Sequence, residues 1–323
     1  MMNKTEKNSA TNLLDRYGSI TVFVIMYIVF FIMIPVFRTP GNIINILGQS
    51  IPTLLIALGM TFVNISGEAD LSMGGVVGLC ATLFCSSILG GHSYLYSTVL
   101  ALAAGLGFGL INGILVAYCG LSSFITTISI MFLTKGLEYA VGGGKSFWVR
   151  DNPVTNVVTT KIGPIPYYII AALILFILVY LFLHQTRVGT HFQAVGLSTD
   201  AAKYAGINVK RIKLISFVIA GFFYSIGALV NALRTMGAQV YAGERLLLPV
   251  FAVTFIAKTI LGSKRPNAPG ILVGALAMTV ISNAFTLMGL QFYWTYIAQG
   301  LVLILAAILA VSDRKVILQD SLN

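Results

Sequence analysis

The sequence predicts an all-α fold, a polytopic membrane helical bundle of about ten transmembrane helices. Hydrophobic residues make up 57% of the 323-residue chain and charged residues only 9%, whereas soluble domains carry roughly 25% charged residues. The mean hydropathy is +0.91. Because so few charges cannot cover a water-facing surface, most of the surface must contact lipid or protein. The apolar runs do not alternate apolar with polar residues, which excludes a transmembrane β-barrel.

Ten runs of the chain reach or approach the roughly 20 apolar residues that a spanning helix needs. They cover residues 17–37, 50–66, 73–90, 94–118, 123–141, 165–183, 212–233, 246–261, 270–288 and 292–311. The fourth run is rich in small residues, which allow neighbouring helices to approach closely. The runs 50–66 and 246–261 are short, and either is compatible with a broken or re-entrant helix. The predicted membrane domain is therefore 17–311, between tails at 1–16 and 312–323.

The distribution of basic residues indicates the orientation. With ten spans, both tails and the loop 184–213 fall on one side, which carries more Lys and Arg near span ends than the other. By the positive-inside rule this side is cytoplasmic. Its basic residues are Lys4, Lys7, Arg16, Arg187, Lys203, Lys210, Arg211, Lys213, Lys264, Arg265, Arg314 and Lys315. The net charge of +10 is explained by such loops beside anionic lipid headgroups, and the chain offers no long basic face for nucleic acid.

The residues provide no catalytic set, no metal site and no cofactor motif. The cysteines and histidines lack the spacing of metal ligands; they are Cys80, Cys85, Cys119, His92, His184 and His191. GGGKS at 142–146 resembles the end of a phosphate-binding loop, but that motif requires glycine where the chain has Tyr139. We expect no ATP hydrolysis by this chain, and an intramembrane enzyme would lack its acid, base and nucleophile.

Polar residues at membrane depth are candidates for contact with a transported solute. Two acidic residues lie between the second and third runs, in NISGEADLSMGG at 64–75. Either Asp70 or Ser72 caps the third helix, where negative charge is favoured, or the acidic residues contact the solute. Asparagines in later spans either bond neighbouring helices or contact the solute. The candidates on the solute path are Glu68, Asp70, Ser72, Asn112 and Asn283.

Few titratable groups lie inside the predicted spans. Lys135 and Glu138 are three residues apart on one helix face, and we expect them to neutralise each other. An ion-coupled carrier needs titratable relays inside its spans, so an ion gradient is disfavoured as the energy source. We therefore expect energy to enter through a partner protein that contacts the loop 184–213.

This loop reads HQTRVGTHFQAVGLSTDAAKYAGINVKRIK and separates the sixth run from the seventh. Ser-Thr-Asp at 198–200 is a good N-terminal cap for a helix, and Gly206 is a good C-terminal cap. The pattern predicts a short helix of about two turns over 198–206. An ordinary solvated loop is the alternative.

Four segments of the chain resemble one family of transport proteins. They are GEADLSMGGVVGLCATL at 67–83, GLINGILVAYCGLSSFITTISIMFLTKGLEYAVGGG at 109–144, GTHFQAVGLSTDAAKYAGINVKRIK at 189–213 and SNAFTLMGLQFYWTYIAQGLVLILA at 282–306. Together they resemble the membrane-spanning permease subunits of ABC importers for ribose, xylose and similar sugars, a family that includes nucleoside and autoinducer-2 permeases. The likeness covers nearly the whole chain. The chain departs from the family pattern in SKRPNAPG at 263–270 and in GERLLLPV at 243–250, so the solute does not carry over.

The resemblance implies an importer of the bacterial cytoplasmic (inner) membrane that works by alternating access on a small neutral solute, most simply a ribose-like monosaccharide. The implied partners are ABC ATPase subunits, a second permease subunit in a homo- or heterodimer, an extracytoplasmic substrate-binding protein and membrane lipid. The segment 198–206 would be the coupling helix that docks into the ATPase. Its coupling residues would be Gly196, Ser198, Asp200, Ala201, Ala202, Gly206 and Ile207. The alternatives are a permease for autoinducer-2 or a nucleoside, and an ion-coupled secondary carrier.

Overall fold

A computed structural model describes the backbone of residues 20–150, 152–260 and 267–320, and side chains up to residue 308. The predicted tail at 1–16 lies outside the described residues, as do the basic residues Lys264 and Arg265. Within the predicted C-terminal tail, the backbone remains helical to Asp320.

Thirteen α-helices follow one another in these ranges. They are α1 Ile20–Met33, α2 Pro40–Ile65, α3 Met73–Leu89, α4 Tyr94–Ala117, α5 Ser123–Gly142, α6 Asn156–Thr159, α7 Tyr167–Gln185, α8 Arg187–Leu197, α9 Thr199–Tyr204, α10 Val209–Arg234, α11 Ala242–Thr259, α12 Ala268–Leu287 and α13 Phe292–Asp320. Short 3-10 helices occupy Pro35–Arg38 and Pro153–Thr155. Two antiparallel ladders join β1 Phe147–Trp148 to β4 Gly237–Ala238, and β2 Lys161–Ile162 to β3 Ile165–Pro166.

Each of the ten predicted runs overlaps a different apolar α-helix, which confirms the predicted all-α membrane bundle. Six helices of the described chain are long and apolar enough to cross a membrane, namely α2, α4, α5, α7, α10 and α12. Shorter apolar helices are α1, α3 and the part of α13 up to Ile308. The run 246–261 corresponds to α11.

The run 50–66 is the second half of a longer helix, because α2 is continuous over 26 residues. Its first half was not predicted from the sequence because Asn42, Asn45 and Gln49 interrupt the apolar pattern. Asn42 is buried, and it exchanges side-chain hydrogen bonds of 3.0 Å with Asn283 of α12. This pairing supplies the partner that a polar residue needs when it is removed from water.

The chain divides into two compact units, residues 51–247 and residues 1–50 with 248–323. In the second unit, the described core contains Ile34, Phe37, Ile46, Val280 and Ala284. In the 51–247 unit, α3 is buried along most of its length and packs against α4, α5 and α10.

Glycines bring α4 and α10 into backbone contact. A Cβ added to Gly105 of α4 would lie 2.5 Å from the carbonyl oxygen of Gly221 on α10 and 2.8 Å from Cβ of Ser225. A Cβ added to Gly109 would lie 2.5 Å from the carbonyl oxygen of Phe217. These contacts confirm the close helix approach predicted from the small residues of the fourth run.

Several connections of the 51–247 unit meet at one end. The loop 66–72 contacts Gly196 at the end of α8, Lys213 at the start of α10 and Ser123 at the start of α5. The ladder of β1 with β4 instead joins the connection that follows α5 to the one that follows α10. We call the first group of connections, residues 66–72, 118–122 and 186–208, the α8–α9 end.

Candidate functional site at the α8–α9 end

The short helix α9 forms where the sequence predicts it. The hydroxyl of Ser198 accepts a hydrogen bond of 3.2 Å from the amide of Ala201 and so caps the N-terminus. At the other end Gly206 has a φ of +79°, and its amide donates to the carbonyl oxygen of Lys203. The amide of Ile207 donates to the carbonyl oxygen of Ala202, which completes a Schellman motif. The predicted caps Ser198 and Gly206 are confirmed.

The exposed side of α9 carries a protruding aromatic residue that no sequence pattern indicated. Tyr204 is 91% exposed, and Leu197 at the end of α8 is also exposed. Asp200 and Ala201 lie on the exposed side as well. Ala202 is only 3% exposed, because α9 packs against α8 and α10 on that side. Its side chain therefore belongs to the packing beneath the helix, and its part in coupling stays a prediction.

Gly196 allows α8 to contact the loop 66–72 directly. A Cβ at Gly196 would overlap the carbonyl oxygen of Ile65 and lie 3.1 Å from the amide nitrogen of Gly67. Gly67 has a φ of +87°, a backbone conformation that favours glycine. The predicted coupling residue Gly196 is thus a packing contact between α8 and this loop.

The same loop forms an ion pair with α10. The Glu68 carboxylate lies 2.5 Å from Nζ of Lys213, and the two side chains are 14% and 21% exposed. Two residues before Glu68, the hydroxyl of Ser66 lies 3.1 Å from that of Ser216 on α10. The loop therefore contacts both helices that flank α9. It contacts α8 through Gly196 and α10 through the side chains of Glu68 and Ser66.

The other end of the loop enters a buried polar cluster. Asp70 accepts hydrogen bonds from the amide of Ser72 at 2.8 Å, from its hydroxyl at 2.6 Å and from the Tyr224 hydroxyl at 3.0 Å. Asn112 donates from Nδ2 to the Ser72 hydroxyl at 2.8 Å. Burial raises the pKa of the Asp70 carboxyl, although these hydrogen bonds from Ser72 and Tyr224 lower it. Asp70, and not the Ser72 side chain, supplies the acceptor at the start of α3.

Contacts with α5 complete the attachment of this loop. The Thr127 hydroxyl accepts a hydrogen bond of 3.0 Å from the amide of Leu71, and the Ser123 hydroxyl accepts one of 3.3 Å from the amide of Ala69. The loop 66–72 thus contacts α4, α5, α8 and α10, and it connects α2 to α3. All of these helices therefore have contacts or a chain connection with this one loop or its ends, and coupling of their movements belongs to the proposal below.

The candidates for the solute path are not gathered at one place. Asp70, Ser72 and Asn112 form the buried cluster, Glu68 pairs with Lys213, and Asn283 pairs with Asn42 in the other unit. All of these candidates except Glu68 are buried in this conformation. The interpretation of Asn112 and Asn283 as bonds between helices agrees with these contacts, and a contact with solute stays a prediction for all five.

A second ion pair overturns one expectation. Lys135 of α5 pairs with Glu244 of α11 and not with Glu138. The reason is that α11 begins beside α3 and α5, so a residue distant in sequence lies nearer than the neighbour on the same helix. Nζ of Lys135 also lies 5.3 Å from the ring centroid of Tyr241. The sequence indicated the charge of Lys135 at membrane depth, but it did not reveal Glu244 as its partner.

Among the residues that the structure describes, no group of three or more His, Cys, Asp or Glu side chains could hold a metal ion. Cys80 and Cys85 are buried and unpaired, and Cys119 is exposed.

Comparisons with known proteins connect this geometry to transport. The family model described as "Branched-chain amino acid transport system / permease component" matches residues 42–307. The chain is 31% identical to the galactose/methyl galactoside import permease protein MglC of Haemophilus influenzae over 327 residues, which cover 94% of this chain and 96% of that protein. It is 29% identical to the ribose import permease protein RbsC of Bacillus subtilis over 312 residues, 94% of each chain. It is 30% identical to the probable ABC transporter permease protein y4mJ of Sinorhizobium fredii over 270 residues, 83% of this chain and 81% of that protein.

Proposed function

This chain belongs to the family of branched-chain amino acid transport system permease components, and on that premise we propose that it forms the translocation path of a binding-protein-dependent ABC importer for a monosaccharide. It is a multi-pass protein of the inner membrane and not an enzyme, since ATP hydrolysis belongs to a partner chain. The observation that carries the choice of solute is the likeness over 94% of this chain to permeases named for ribose and galactose. It favours a sugar over an amino acid, a nucleoside or autoinducer-2.

The importer has ATPase and substrate-binding partners, and we place the ATPase at the α8–α9 end. This placement is supported by the capped helix α9, by its exposed residues Asp200, Ala201 and Tyr204, and by the exposed Leu197 beside it. The excess of basic residues on that side supports a cytoplasmic position for it and for both termini. A second permease subunit, identical or different, completes the path.

Alternating access requires that movement of α9 reaches the spanning helices. The loop 66–72 is suited to this, because it contacts α8 through Gly196 and α10 through Lys213, and continues directly into α3. The contact of α4 with α10 includes close backbone approaches at Gly105 and Gly109. Such contacts permit the small sliding movements that accompany a change of access.

We expect Tyr204→Ala to weaken binding of the ATPase about tenfold, because exposed aromatic residues at a docking surface are frequent hot spots. The measurement is a titration of the partner ATPase onto the permease in lipid nanodiscs. The control is Tyr96→Ala, since Tyr96 is also exposed but lies at the start of α4, away from the α8–α9 end. Unchanged binding by Tyr204→Ala, or an equal loss in the control, would remove α9 from the docking surface.

The proposed solute class is tested with a panel of labelled compounds. Vesicles that contain the permease, its ATPase and a candidate binding protein are supplied with D-ribose, D-galactose, L-leucine or inosine. We expect ATP-dependent uptake of a sugar and none of leucine or inosine. Uptake of leucine or inosine without uptake of any sugar would overturn the assignment.

A further inference from the structure

A group of charged and aromatic side chains lies within the spans of the 51–247 unit, apart from the α8–α9 end. Lys135, Glu138 and Tyr139 are on α5, one of the helices long and apolar enough to cross a membrane. Tyr241 and Glu244 come from the connection to α11 and from its first turn. Charged residues at membrane depth are costly, and they usually face a water-filled cavity or a functional site.

The backbone that supplies Tyr241 and Glu244 enters the membrane-spanning part of the unit. Gly142 at the end of α5 lies beside Thr82 of α3, since a Cβ on it would be 3.4 Å from the Thr82 side chain. Gly243 instead lies against the backbone of Gly74 and Gly78, about one to two helical turns nearer the N-terminus of α3. α11 therefore begins inside the span, and its preceding segment is non-helical backbone at that depth. Substrate sites of membrane transporters are typically built where helices are discontinuous.

The side chains of this group leave polar and aromatic surface available. Lys135 and Glu244 form an ion pair but are 29% and 39% exposed. The rings of Tyr139 and Tyr241 meet edge to face, with centroids 6.0 Å apart and planes at 73°. The Glu138 carboxylate lies against Gly78, whose missing side chain makes room for it, and it forms no ion pair within the described residues.

The connection holds Tyr241 in an unusual backbone conformation. Tyr241 has a φ of +64° and Met236 a φ of +57°, and these are the non-glycine residues with positive φ in the described chain. Such a conformation is uncommon for a bulky residue and persists only where surrounding contacts hold it. Here the Tyr241 ring contacts Lys135 and Tyr139, and these contacts hold the ring close to Glu138 and Glu244.

We propose that Tyr139, Tyr241, Glu138, Lys135 and Glu244 form a contact site for the transported solute, of the class of neutral aldoses. Aromatic rings offer apolar faces to the C–H groups of a sugar ring, while carboxylates accept hydrogen bonds from its hydroxyls and the ammonium group donates to them. A ligand site with a largely apolar lining and a few polar groups that fix orientation has this composition. The inference rests on the proposed function, because it assumes that a sugar passes through this chain.

The test is the ratio of D-ribose to D-galactose uptake when both sugars compete in vesicles with the same ATPase and binding protein. A purely structural role would lower both rates equally and leave the ratio unchanged. We expect Tyr241→Ala and Glu138→Gln to change this ratio about three- to tenfold, the effect of losing one aromatic or hydrogen-bonding contact. Tyr241→Phe, which keeps the ring, should stay near the wild-type ratio. The matched control is Tyr293→Ala, since Tyr293 is 48% exposed, compared with 46% for Tyr241, and belongs to the other unit.

A second measurement serves for variants whose transport is too slow for the uptake ratio to be measured. Saturation-transfer NMR on the detergent-solubilised permease alone detects transfer from protein to D-ribose, which we expect in the wild type and in Tyr293→Ala but not in Tyr241→Ala. A wild type that transports sugar with a ratio unchanged in every variant would overturn this site and leave the proposed function standing. A wild type without ATP-dependent uptake of any sugar would remove the proposed function, and this site with it.

Discussion

Gly105→Leu is expected to prevent accumulation of folded permease. Gly105 of α4 lies directly against the backbone of α10, and a side chain at Gly105 would meet the carbonyl oxygen of Gly221 at 2.5 Å and Cβ of Ser225 at 2.8 Å. Neither group can rotate away, so the helices must separate. Overpacking costs ~1–3 kcal/mol where the neighbours can adjust, and backbone neighbours adjust least. We expect at least about a tenfold loss of monodisperse protein on size-exclusion chromatography of a fluorescent fusion.

Gly107→Leu is the matched control for this variant. Gly107 lies on the same helix, two residues farther on, and a Cβ there would meet nothing within 4 Å. The same substitution should therefore leave the yield within about twofold, since surface changes away from packed contacts have small effects. Equal losses from both variants would mean that α4 tolerates no large residue anywhere, and the specific contact with α10 would lose its support.

Glu68→Lys is expected to uncouple ATP hydrolysis from transport. The ion pair of Glu68 with Lys213 joins the loop 66–72 to the helix that follows α9, and both side chains are largely shielded from solvent. Two like charges at this place would repel, and the loop would no longer follow α10. We expect the number of sugar molecules transported per ATP hydrolysed to fall about tenfold, within the range of coupling energies changed by single residues. Lys213→Glu should have the same effect.

The reversed pair Glu68→Lys with Lys213→Glu tests the direct interaction. It should recover at least about half of the wild-type ratio, because contacting residues are energetically coupled. Lys210→Glu is the control, since Lys210 is an exposed charge on the same helix without an ion pair in the described chain. If either single reversal kept the wild-type ratio, or if the reversed pair recovered nothing, the loop would not transmit movement through this contact.

Features that depend on neighbouring residues were predictable from the sequence. The caps of α9 were read correctly because Ser198 and Gly206 act on residues within one turn, and their effect is set by local backbone geometry. The long apolar runs were also readable, since a single helix satisfies its own backbone groups in lipid. The helix α8 was not predicted because it is too short for a membrane span, although five of its eleven residues are apolar.

Features that depend on packing between distant segments were not predictable. The polar start of α2 looks like a loop until Asn42 is seen paired with Asn283. Lys135 was assigned to Glu138 because spacing on one helix reveals only neighbours on that helix. Its partner Glu244 comes close through the contact of α11 with α3, which no local pattern indicates. The burial of Ala202 was not predictable for the same reason, because only the packing of α9 determines which side is buried.

The energy source is the property that most directly tests the proposed importer. The measurement is the initial rate of sugar uptake into vesicles that contain the permease, with and without the partner ATPase, ATP and an imposed proton or sodium gradient. We expect uptake only when ATPase, binding protein and ATP are all present, and no dependence on the gradient. Gradient-driven uptake at the same rate in vesicles that lack the ATPase would contradict the importer and favour an ion-coupled carrier.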